Sequence, residues 1–163
     1  MTFDQIVTII EDSVYGEHED TLYIVGRMNR ALSWIAYVVS DIQAATPEES
    51  DEYDERDIEF WLKDIARSAA IFLKEISVVS PAVLFVAEYE RAAKKHPGMT
   101  LDSDKHTNES RFYALAEEVG EVAAALTYDN AAKTGHNAEL VSEVTQVGGL
   151  AIAWLLRYHG GEA

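Results

Sequence analysis

The chain has 163 residues, 48% of them hydrophobic, which suits one domain or two small halves sharing a core. Its 29 acids against 13 bases give a formal charge of −16, which argues against binding a nucleic-acid polymer but not a nucleotide, since a metal ion can reverse the local potential. Cysteine is absent, the N-terminal MTFDQIV has no secretion-signal pattern, and no stretch reaches about 18 uninterrupted apolar residues, so disulfides, thiolate sites and a membrane span are not expected and a cytoplasmic protein is.

Three prolines, nine glycines and no sustained apolar–polar alternation predict an all-α bundle of about six helices. Thr2 with Gln5 reads as a capping box that opens a short helix with Phe3, Ile6, Ile10 and Val14 inward. Residues 15–20 (YGEHED) read as a loop, with His18 solvated among acids. A long helix over 22–44 carries the stripe Ile24, Met28, Ala31, Ile35, Val38 and Ile42, with Trp34 and Tyr37 as core or interface residues. Thr46 and Pro47 signal a helix start, and the dense acids that follow up to Glu59 read as a solvated connection. A helix over 58–76 turns Trp61, Ile65, Phe72 and Ile76 inward, and Ser80-Pro81 opens a helix that ends near Lys95. A polar connection, HPGMTLDSDKHTNES, follows, in which His96 and His106 are candidates to approach a substrate and Asn108 or Ser110 to cap the next helix.

The chemistry concentrates in the last two helices. Phe112, Leu115, Val119, Val122 and Leu126 recur at spacings of three and four, and Glu118 and Glu121 fall together on the strip beside that face. Glu117 points away, toward water. From Val144 to Leu156 the last helix is apolar nearly all round, yet Glu143 lies in line with Val147, Leu150 and Trp154. Glu139 lies one turn before Glu143 on the same side, and Gln146 one turn after. An inward carboxylate needs a partner, and acids converging from two helices repel. A divalent cation resolves both, and oxygen ligands favour Mg²⁺, Mn²⁺ or Ca²⁺ over zinc. Paired glutamates on a solvated helix face are the competing reading.

The stretch EEVGEV followed by EVTQVGGLAIAWL resembles the MazG-like all-α nucleotide pyrophosphohydrolases, whose pattern is EExxE, a variable connection, then ExxD. HPGMTLDSD and RFYALAEEVGEV add to the likeness, which covers about 81–158. The resemblance implies hydrolysis of a nucleoside triphosphate to monophosphate and pyrophosphate, with Mg²⁺ or Mn²⁺ held by Glu118, Glu121 and Glu143. Gln146 stands where the family has Asp; its amide oxygen can coordinate but cannot act as a base. Glu117 and Glu139 are the candidate bases. Lys133, Arg111 and Arg30, with His96, are the candidate substrate contacts. The family builds a four-helix core across a dimer interface, so a homodimer is expected.

An internal repeat would change that expectation. The order of long helix, acidic connection and apolar helix occurs twice, dividing the chain into 1–80 and 81–163 within one compact domain. Setting Asp41 on Asp129 places Arg30 and Ser33 opposite Glu118 and Glu121, and setting Asp64 on Glu143 places Arg67 opposite Gln146. The first half then reads as a degenerate copy that lost its metal ligands. The alternative function is a non-catalytic, nucleotide-binding or regulatory helical protein, marked by Gln146. A di-iron carboxylate bundle is set aside because no histidine has Glu three residues before it.

Overall fold

Six helices follow one another along the described residues of the computed structural model, which are 1–44, 55–77, 79–127 and 137–159. They are α1 (Phe3–Ser13), α2 (Thr21–Ala44), α3 (Glu55–Ile76), α4 (Pro81–Lys95), α5 (Asn108–Ala125) and α6 (Asn137–His159). No strand occurs among the described residues, so the all-α class read from the sequence holds. The helix start at Thr46-Pro47, Asp129 and Lys133 lie outside them.

Local signals fix most helix starts. Thr2 and Gln5 close the capping box of α1 in both directions, at 3.3 and 2.8 Å. Ser80 stands at the N-cap of α4 but makes no capping bond; its hydroxyl donates to Glu11, and Pro81 supplies the first turn instead. The cap of α5 is Thr107 rather than Asn108 or Ser110, its hydroxyl oxygen accepting from the Ser110 N–H at 3.1 Å.

The stripes then decide what packs. In α2 Ile24, Met28, Ala31, Ile35 and Val38 are buried, while Ile42 is half-buried. Trp34 and Tyr37, expected in the core or at an interface, are not in the core: they are 47% and 51% exposed, because they fall beyond the edge of that stripe. Trp61, expected inward, is half-buried and stacks on Trp34 with the rings 5.9 Å apart.

Helices α2, α3, α6 and α5 form a closed ring in which each packs on the next and, among the described residues, the backbones of neither diagonal pair come close. Outside the ring, α1 and α4 each lie against α3 and α6 and against each other. The most extensive contact is α3 on α6, so the two halves of the chain share one core. Helix α6 is its centre: Val144, Val147, Ala151 and Trp154 have no measurable exposure, and although its 139–159 stretch is long and apolar enough to cross a membrane, 61% of the qualifying window is buried in the bundle. Helix α4 comes close because Gly148 has no side chain; a Cβ there would lie 2.1 Å from the Phe85 ring.

The two halves run in the same order of outer helix, long helix and core helix. Buried positions coincide when Ile58, Leu62, Ile65 and Phe72 are set on Leu140, Val144, Val147 and Trp154, and Ile24, Met28 and Ala31 on Leu115, Val119 and Val122. This matching of buried positions differs from the register read from the acids by three residues in each helix. Arg27, not Arg30, then matches Glu118; Arg30, not Ser33, matches Glu121. Trp61 matches Glu143, and Asp64, not Arg67, matches Gln146.

Candidate metal centre

The acids are set in place by the helices that carry them. Thr107 fixes the start of α5, and burial of Leu115, Val119 and Val122 fixes its rotation, which leaves half-buried Glu118 and exposed Glu121 on the side facing α6. Burial of Val144 and Val147 does the same for α6 and turns half-buried Glu143 back toward α5. One oxygen from each of Glu118, Glu121 and Glu143 lies within 4.8 Å of the others. The three acids taken as metal ligands thus converge.

The electrostatics of this triad are unfavourable without a cation. Burial, then the charges of Glu121 and Glu143, push the Glu118 carboxyl from 4.5 up to about 7. Burial also pushes Glu143 to about 7, helped by a hydrogen bond to Glu121 that requires a proton on one of the two acids. Glu118 Oε2 is inaccessible to water and has no hydrogen-bond partner. A buried carboxylate oxygen without a hydrogen bond, on a group crowded by four other acids and countered in part by the Arg91 guanidinium, is an environment a hard cation satisfies, so the residues fit Mg²⁺ or Mn²⁺.

Gln146 does not join the ligands through its nitrogen. Its Nε2 donates to Glu143 Oε2 at 2.8 Å, which orients that carboxylate. Glu139 is exposed and adds its negative charge to Glu143; Glu117 is exposed and adds its charge to Glu118.

A fourth acid comes from α4. Glu88 acts on both Glu118 and Glu143 and is gripped by Arg91, whose Nε and Nη2 donate to its two oxygens at 2.7 and 2.6 Å. Gly149 makes room for it, since a Cβ there would lie 3.3 Å from Glu88 Cγ. The signal for Glu88 was its place on the Pro81, Phe85, Ala92 stripe, where a charge is out of pattern.

The basic candidates fare differently. Arg111 is 1% exposed and donates to the carbonyls of Leu101 and Ser103, both at 2.7 Å, and to Asn108 Oδ1 at 3.3 Å. It is therefore a brace for the 99–103 turn rather than a phosphate contact. Arg30 is exposed on α2, which packs on α5, and none of the hydrogen bonds or ion pairs seen among the described residues joins it to the acids. Lys133 lies outside the described residues. His96 ends α4 and lines a cleft that Glu88 also lines. His106 bonds the Met99 carbonyl at 3.0 Å, and His18 pairs with Glu75 at 2.6 Å, neither near the acids. No family model matches this chain, and no curated protein or solved structure matches it either.

Proposed function

We propose that the chain hydrolyses a nucleoside triphosphate to monophosphate and pyrophosphate, using Mg²⁺ or Mn²⁺ held by Glu118, Glu121 and Glu143. The observation that carries this reading is the approach of those three carboxylates to within 4.8 Å, with one Glu118 oxygen buried and unpartnered. When bound, such an ion neutralises phosphate charge and lowers the pKa of a coordinated water. The protein's part is to hold the ligands: Gln146 fixes Glu143, and the walls of α4, α5 and α6 limit water around Glu118. Glu139 and Glu117 stand at the solvent side as proton acceptors. The resemblance to MazG-like proteins supports the substrate class. The ring of α2, α3, α6 and α5 supplies within one chain the four-helix core that the family assembles from two, so one copy suffices.

Gln146 favours a second reading, binding of nucleotide without turnover. One experiment separates them: a screen of canonical and modified nucleoside triphosphates for pyrophosphate release, with Mg²⁺, with chelator, and with Glu118→Gln. Metal-dependent release absent from the variant supports hydrolysis. Nucleotide binding with no release from any substrate supports the second reading.

A further inference from the structure

Between α4 and α6, beneath the 96–101 turn, lies a cleft of about 120 Å³. That is far more than the roughly 10–15 Å³ one water needs. Small residues create it: Ala92 on α4 faces Gly149 and Ala153 on α6. Leu150 and Met99 add apolar surface, while His96 and Thr100 supply hydrogen-bonding groups. The roof is braced by Arg111 through Leu101 and Ser103, and by Ser103 Oγ donating to the Gly98 carbonyl at 3.0 Å. One wall is also fixed, because Tyr89 stacks on Phe3 at 4.1 Å and its hydroxyl donates to Asp102 at 3.1 Å. The cleft is thus preformed.

Its position ties it to the acids. Leu150 follows Glu143 by seven residues, two turns along the same side of α6, a rise of about 10 Å. Glu88 lines the cleft, lies along Gly149 and acts on both Glu118 and Glu143, which links the cleft to the acids. The mainly apolar lining, with Glu88 already paired to Arg91, offers little to a phosphate but suits a neutral, flat ring with polar edges.

We infer that this cleft takes the heterocyclic base of the nucleotide whose phosphates sit at the acidic triad, with the sugar passing Glu88. The inference rests on the function proposed above. The test is calorimetry on the full chain with Mg²⁺, comparing pyrophosphate with non-hydrolysable analogues of the four canonical nucleoside triphosphates, in the wild type and in Ala92→Leu, which fills the cleft. At least one analogue binds about tenfold tighter than pyrophosphate, and Ala92→Leu removes that advantage while pyrophosphate binding and the rise in Tm caused by Mg²⁺ persist. Should Ala92→Leu fail to fold, Met99→Ala, on the exposed turn, gives the same reading through a several-fold loss for the analogue alone. The inference is overturned if pyrophosphate binds with Mg²⁺ but no analogue binds tighter, or if the variants weaken both ligands equally. Absence of any Mg²⁺ response or pyrophosphate binding in the wild type overturns the proposed function itself, and the base cleft with it.

Discussion

Raising the pH without metal is the sharpest perturbation of the acidic triad. Glu118 and Glu143 rest at about 7 in the folded protein against an ordinary 4.5. Both values are raised on folding, so their contribution to stability is present below about pH 4.5 and is lost as the pH climbs through about 7. At about 1.4 kcal/mol per pK unit, the rise from 4.5 to about 7 caps the cost for Glu118 at about 3 kcal/mol. The repulsion between Glu118 and Glu143 enters both values, and both side chains are partly open to screening water, so about 1–2 kcal/mol for the cluster is the expected size. In a domain of this size that is a fall in Tm of roughly 3–6 °C between pH 5 and pH 8. Thermal unfolding with chelator present measures it. Glu118→Gln flattens the curve and is the more stable protein at pH 8, and the comparison cancels the background from all the other charges, which the two proteins share. Saturating Mg²⁺ restores the wild type at pH 8, does little at pH 5, and does little for the variant; at a hundred times Kd the gain is about 2.7 kcal/mol. Parallel pH curves for the two proteins, or equal Mg²⁺ shifts, would refute the reasoning.

Three further outcomes are expected. Gly148→Ala forces a Cβ against the Phe85 ring and costs about 1–3 kcal/mol in urea unfolding, without changing Mg²⁺ affinity. Arg111→Ala leaves the Leu101 and Ser103 carbonyls without their donor; it costs about 2–4 kcal/mol and speeds hydrogen exchange across 99–104, while the Mg²⁺ response persists. Gln146→Asp exchanges the amide that orients Glu143 for another charge, so calorimetry shows Mg²⁺ affinity rising about tenfold and metal-free Tm at pH 8 falling below the wild type.

The helical class and most buried stripes were legible because a period near 3.6 is a property of the residues themselves. Ile24 through Val38 and Leu115 through Val122 show it without reference to any partner. The convergence of Glu118, Glu121 and Glu143 was legible for the same reason, since one inward acid on an apolar helix and two beside an apolar face have few places to meet. What depends on chain folding was not. Glu88 is out of pattern on its apolar stripe, but its destination is not legible there: only the close approach of α4 at Gly148 and Gly149 carries it to the acids. Arg111 lies in the first turn of the acidic helix and so suggested a phosphate contact; that the 99–103 turn folds back over its guanidinium is not written in its neighbours. The register suggested by the acids and the one that matches burial differ by three residues, a shift that keeps a helix facing nearly the same way. Only the burial of particular residues, such as Phe72 and Trp154, distinguishes the choices.

The register that matches burial gives the strongest argument for a cation at the triad. At the positions that match Glu118 and Gln146, the first half of the chain has Arg27 and Asp64, which are bonded to each other, and Arg27 also grips Glu19 at 2.9 and 3.0 Å. Trp61 replaces Glu143 there. The same frame therefore has a protein-only way to neutralise acids at this depth, with a guanidinium from the long helix. In the second half that guanidinium is exchanged for a carboxylate, and two of the three acids are held near 7 at a cost to the fold. Chains retain destabilising arrangements where a task requires them. The divalent ion proposed above would supply at the triad the positive charge that Arg27 supplies in the first half, and oxygen ligands suit such an ion.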